Sequence, residues 1–154
     1  MATVAIGADH RGYRLKQELI YKLKGEHTIL DMGTDSDKPV DYPDFAKKVA
    51  DAVAEGKADF GILICDTGIG MAIAANKVSG VRAAHCRVER EADMSRRHNN
   101  ANIITIAGGY TPRDVALKLV KMFISTPFEG NTEEGERHKR RVEKIMKIEK
   151  EQCK

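Results

Sequence analysis

The sequence predicts a doubly wound α/β domain, a parallel sheet of five strands with helices on both faces. Short β-rich apolar runs alternate with longer amphipathic stretches five times along the chain. One run, Phe60–Cys65 (FGILIC), is almost wholly apolar, as expected of a strand covered on both faces. The 154 residues, 42% of them hydrophobic, suit a single domain with a real core.

Thr3–Ala8 (TVAIGA) reads as the first strand. Gly12–Lys24 then places Tyr13, Leu15, Leu19, Ile20 and Leu23 at helical spacing. Thr28–Leu30 is a short second strand. The polar loop Gly33–Asp41 leads to Pro43, which suits the first turn of a helix whose apolar face is Phe45, Val49, Ala52 and Val53. After the third strand, Phe60–Cys65, the stretch Thr67–Gly70 makes a tight turn into a small-residue helix, Met71–Lys77. Val81–Cys86 is a fourth strand, Glu89–Arg97 a charged helix and Asn102–Ala107 a fifth strand. Pro112–Ile124 reads as a helix with Thr111 as its N-cap. Glu129–Gly135 is a polar, acidic loop. Glu136–Glu149 is a final helix, with Val142, Ile145, Met146 and Ile148 at its apolar positions. No repeat or low-complexity linker divides the chain, so residues 1–154 are read as one domain.

Composition excludes several classes. Lys and Arg total 26 against 23 Asp and Glu, a net charge of +3, which is too balanced to argue for nucleic acid. The cysteines, Cys65, Cys86 and Cys153, are odd in number and lack CxxC spacing, against a disulfide framework or structural zinc. No HExxH motif is present. The N-terminus lacks the charged start and apolar run of a leader, and no apolar segment approaches the roughly 20 residues of a membrane helix. A cytoplasmic, reducing setting is the expectation.

In open α/β sheets, ligands sit beyond the carboxyl ends of the strands. That rule singles out Asp9 and His10, then Cys65 to Gly70, then Cys86 and Arg87, then Gly108 and Gly109. Asp9 and His10 face such a crevice or merely cap the next helix. Cys65-Asp66-Thr67-Gly68-Ile69-Gly70 puts a thiol at a strand tip before a glycine-spaced turn. Glycines let backbone N–H groups approach an oxyanion closely. The motif lacks the GK[ST] of a P-loop and the dinucleotide GxGxxG. It suits a small anion or an enolate. Cys65 alone also fits a buried small hydrophobe, the commoner role of a free cysteine. His98-Asn99-Asn100 ends the charged helix, offering either a proton shuttle or a plain helix terminus. Arg137 and Arg141, four apart, share a helix face that either grips a phosphate or is simply solvated. Cys86 and Cys153 read as structural or incidental.

Taken together, these stretches resemble the ribose-5-phosphate isomerase B family, within a wider group that includes galactose-6-phosphate isomerase. The matching segments are GADHRGYRLK, VDYPDFAKKVA, GILICDTGIGMAIAANK, GVRAA, SRRHNNANI and ERHKRRV, running from the first strand to about Ile148. The resemblance implies a Rossmann-like, three-layer subunit. It implies a homodimer, or a tetramer, whose active sites are shared between chains, with the C-terminal helix, about 136–150, packing on a partner. The implied reaction interconverts D-ribose 5-phosphate and D-ribulose 5-phosphate without metal or cofactor. Carried over by motif, Cys65 is similar to the base that moves a proton between C1 and C2. Thr67, Gly68, Ile69 and Gly70 are similar to the cradle for the enediolate oxygens. His98 resembles the ring-opening group. Asp9, His10, Asp66 and Asn99 are implied substrate contacts, and Arg137 and Arg141 the phosphate grip.

This sequence departs from the family pattern at three places. Asp66 stands where members usually have glycine, and Gly109 where they often have arginine, with Arg113 the nearby candidate to replace it. Asn131–Glu134 looks like an insertion before ERHKRRV. Asp66 also motivates a six-carbon sugar phosphate, such as allose or galactose 6-phosphate, as the alternative substrate. A more distant alternative is a non-enzymatic phospho-acceptor module. Such a module wants an acidic partner beside Asp9 and a lysine after the fifth strand, where this chain has His10 and Ala107-Gly108-Gly109.

Overall fold

The computed structural model describes residues 1–152, so Cys153 lies outside the described residues. Strands β1 (Thr3–Ala8), β2 (Thr28–Asp31), β3 (Phe60–Cys65), β4 (Ala83–His85) and β5 (Ile103–Ala107) pair in the order β2-β1-β3-β5-β4, all parallel. Helices α1 (Tyr13–Leu23), α2 (Tyr42–Ala54), α3 (Ile69–Ala75), α4 (Glu89–Arg97) and α5 (Arg113–Ser125) connect them. A 3-10 turn, Glu129–Asn131, precedes α6 (Glu136–Gln152). The predicted α/β class, with five parallel strands and helices on both faces, is the class observed.

Strand side chains alternate between faces, and the two faces hold separate cores. Val4, Ile6, Ile62, Ile64, Ile104 and Ile106 meet Leu15 and Leu19 of α1, Ala92 of α4 and Leu119 and Phe123 of α5. On the other face, Leu63, Cys65 and Ile103 meet Val49 and Val53 of α2 and Met71 and Ala75 of α3. Cys65 therefore closes the strand on the α2–α3 side, 5% exposed.

Several boundaries differ from expectation for identifiable reasons. The helix expected at Met71–Lys77 begins at Ile69, because Gly68 takes a left-handed turn (φ 78°) immediately before it. The fourth strand shortens to Ala83–His85, an edge strand with one neighbour. Thr111 does not cap α5: Pro112 occupies the cap position with no side-chain cap bond, while the Thr111 N–H bonds the Ala107 carbonyl. Of the apolar positions expected on α6, Val142 is buried, but Ile145 and Ile148 are 45% and 61% exposed. The reason is placement: α6 packs against the 3-10 turn and the Gly80–Arg82 segment, not on the sheet.

Candidate active site

Beyond the carboxyl ends of β1 and β3 lies a cleft of about 410 Å³, lined by Asp9, Tyr42, Cys65, Asp66, Thr67, Ile69, Gly70 and Ile73. Larger hollows exist. One of about 850 Å³ is lined by Glu18, Leu19, Lys22, Thr111, Pro112, Arg113, Asp114 and Leu117, with no cysteine or histidine among them. Chemistry, not size, selects the smaller cleft, which still suits a small metabolite.

At its floor, the Gly68 N–H donates to Cys65 Sγ at 3.2 Å. The turn that aims this donor needs glycine. A Cβ at Gly68 would lie 2.8 Å from the His85 ring and 2.9 Å from the Ile106 carbonyl carbon. The Ile69 N–H donates to Thr67 Oγ1 at 3.2 Å, closing the same loop. Asp9 is 6% exposed, and its Oδ1 accepts the N–H groups of Arg11 (2.9 Å) and Gly12 (3.1 Å). These bonds leave Asp9 Oδ2 for other partners. His10 accepts the Val40 N–H at Nδ1 (3.2 Å), so a neutral ring carries its proton on Nε2. Tyr42 packs its ring over Gly70, where a Cβ would lie 2.6 Å from Cζ.

The remaining expected residues gather elsewhere. His98, the C-cap of α4, stacks on His138 with ring centroids 4.0 Å apart and planes 10° from parallel. Glu129 Oε2 lies 3.8 Å from His98 Nε2 and 3.6 Å from His138 Nε2. His138 Nε2 is buried with no hydrogen-bond partner. Burial above all, then His98 and Arg137, holds the His138 imidazole below its usual range. Arg137 and Arg141 are exposed on α6 beside it, and Asn99 is exposed after α4. The donor atoms of His98, Glu129 and His138 lie within 4.8 Å of one another, the donor types of a divalent metal site. Near-parallel stacking, however, sends the in-plane nitrogen lone pairs side by side rather than to one point. The arrangement suits proton exchange better than coordination.

Topology separates the two groups. In a parallel sheet a connecting helix runs back, so α4 starts at the carboxyl end of β4 and finishes at the amino end of β5. Contacts agree: buried Arg96 donates to the carbonyl of Thr126, at the C-terminus of α5, and the Arg82 Nε–H donates to the Asn100 carbonyl. His98 thus stands at the opposite edge of the sheet from Cys65. Five residues of β5 separate those edges, on the order of 16 Å at about 3.3 Å per residue. Among the described residues, no hydrogen bond or ion pair joins the two groups.

Arg113 does not reach the cleft: its Nη1 pairs with Glu18 Oε1 at 3.0 Å. Sequence reasoning missed Tyr42, His85, Glu129 and His138 as members of these groups. His138 was visible only as the buried phase of ERHKRRV, and Glu129 had no local signal.

Comparisons with known proteins agree with this architecture. Residues 4–145 match the family described as Ribose/Galactose Isomerase. The ribose-5-phosphate isomerase B of Escherichia coli K12 is 43% identical over 150 residues, covering 97% of each protein. The Clostridium thermocellum ribose-5-phosphate isomerase B structure aligns with a TM-score of 0.91 at 46% identity, covering 97% of this chain and 98% of that one. A Mycoplasma genitalium ribose-5-phosphate isomerase B structure with bound ribulose-5-phosphate aligns with a TM-score of 0.89 at 40% identity, covering 97% of each. The strand order and the cleft define an α/β protein with a thiol and a carboxylate beyond the carboxyl ends of its parallel sheet. The chain belongs to the ribose/galactose isomerase family.

Proposed function

We propose that this protein interconverts D-ribose 5-phosphate and D-ribulose 5-phosphate by proton transfer through an enediolate. The observation that carries the reading is Cys65 Sγ at the cleft floor, beside the Thr67–Gly70 loop and paired with the Gly68 N–H. Cys65 acts as the base that moves the proton between C1 and C2. Backbone donors of the loop face the oxygens on which charge develops. Asp9 and His10 hold substrate hydroxyls. His98 opens the furanose ring, Asn99 contacts the sugar, and Arg137 and Arg141 grip the phosphate.

Because His98 and Cys65 stand at opposite sheet edges, we propose that each active site takes Cys65 from one chain and His98, Arg137 and Arg141 from a second copy. The bare face of α6, with Ile145 and Ile148 exposed, supports packing on that copy. No described helix is long and apolar enough to cross a membrane. A reducing cytoplasm is the setting that would keep the Cys65 and Cys86 thiols free.

The test is ribose 5-phosphate isomerisation in chelator. Wild type is expected to turn over and Cys65→Ala to lose at least about a thousandfold in kcat. An active Cys65→Ala would remove the thiol from the mechanism. A second reading keeps the chemistry and changes the sugar, because Asp66 lines the cleft beside Cys65. Comparing kcat/KM for five- and six-carbon sugar phosphates decides between them, with the pentose expected to prevail.

A further inference from the structure

The cleft has the wrong charge for the ligand proposed. Asp9 and Asp66 both line it, and none of its lining residues is a cation. A phosphate dianion does not settle near two carboxylates without positive charge at hand. Within the cleft's own chain, Arg11 brings a positive charge to its lining residue Asp66. Arg11 Nη2 lies 3.5 Å from Asp66 Oδ1, with the two side chains 62% and 51% exposed. The root of Arg11 is fixed, since its backbone N–H donates to Asp9 Oδ1. Among the described residues its guanidinium donates no hydrogen bond to the protein, so its five N–H donors are open to a ligand.

Asp66 owes its position to the segment after β5. A Cβ at Gly109 would lie 2.0 Å from Asp66 Oδ1, so the carboxylate fills room that any other residue there would take. The Gly109 N–H donates to the Asp66 carbonyl at 3.0 Å, which holds the two backbones together. A Cβ at Gly108 would lie 3.0 Å from the Arg11 carbonyl oxygen. The loops after β1, β3 and β5 therefore meet at a thin glycine floor, with the Arg11–Asp66 pair above it.

We infer that Arg11 is a substrate-binding residue contributed by the cleft's own chain, a phosphate ligand, and that Asp66 is the positioning residue holding its guanidinium over Gly109. The inference rests on the sugar-phosphate reading above. An exposed ion pair is weak and screened by salt, so the guanidinium turns from carboxylate to phosphate with little resistance. A guanidinium fork suits that second partner, which it grips through two donors at once. Asp66 then keeps the cation from wandering into solvent in the empty cleft, and Arg11 keeps Asp66 from repelling the incoming anion.

The test combines calorimetric titration of inorganic phosphate with steady-state kinetics on ribose 5-phosphate, in Arg11→Ala, Arg11→Lys, Asp66→Asn and Gly109→Ala. Arg11→Ala is expected to raise KM and the phosphate Kd about tenfold, as loss of a charge-assisted contact does, with a smaller change in kcat. Arg11→Lys recovers part of that loss. Asp66→Asn and Gly109→Ala, which both release the guanidinium, raise the phosphate Kd less, and neither has a further effect once Arg11 is alanine. Thermal melts of the four variants check that each is folded. An Arg11→Ala variant with KM and phosphate Kd within twofold of wild type overturns the phosphate role. An Asp66→Asn effect that persists undiminished in the Arg11→Ala background overturns the positioning role. If wild type turns over no sugar phosphate, the isomerase reading fails, while the phosphate titration still decides the role of Arg11.

Discussion

Cys65 and His138 show how a single side chain carries information about this site. Cys65 looks from sequence like an ordinary buried thiol, and by exposure it is one. What separates it from Cys86 is its place in the cleft, where the backbone N–H of Gly68 is aimed at its sulfur at 3.2 Å. Burial pushes the Cys86 thiol up to about 11, which keeps it protonated and inert at neutral pH. His138 carries a pH signature. Its folded-state pKa lies below the ordinary value of 6.5, so folding favours the neutral ring. That contribution is complete above the unfolded value and is lost as pH falls through the folded one. The melting temperature of wild type is therefore expected to drop more between pH 7 and pH 5 than that of His138→Gln. Equal drops would show that His138 does not titrate with folding.

Secondary-structure elements fix where these side chains stand, and their ends matter most. Arg96 lies buried at the end of α4 with its guanidinium over Phe60 and Phe123, 5.0 and 5.7 Å from their centroids. It donates to the carbonyls of Thr126 and Ala101 and to Asn100 Oδ1, tying the ends of α4 and α5 together next to His98. Arg96→Met leaves those acceptors without their donor and is expected to cost about 3 kcal/mol, read by urea unfolding. A variant as stable as wild type would show that the α4 terminus is held by other contacts. At this scale the sequence was informative where burial dictates pattern. β1, β3 and α4 have the boundaries expected, because two-sided cover leaves little choice of residue in the strands and charge marks the helix. It was less informative at β4, an edge strand, and at α6, whose apolar positions imply burial that this chain alone does not supply. The pairing of Arg11 with Asp66 and the stacking of His98 on His138 were not legible, because each joins loops or helix ends distant in sequence.

The whole molecule divides the expected site in two. Strand order and helix direction send Cys65 and His98 to opposite edges of one sheet, and no rotamer change brings them together. That separation was already implicit in the order of the segments: His98 ends the helix between the fourth and fifth strands, so it must lie at the amino edge. The motifs singled out the residues proposed for the site, and the topology shows that one chain does not bring Cys65 and His98 together. On the proposed reading, a second copy resolves the division, with two sites in a symmetric dimer. The direct test is to refold an equal mixture of Cys65→Ala and His98→Asn chains, each inactive alone, and assay ribose 5-phosphate isomerisation. Random pairing makes half the dimers mixed, each with one intact site, so activity is expected to return to about a quarter of wild type. A mixture as inactive as its parents would contradict the account and place the whole reaction within one chain.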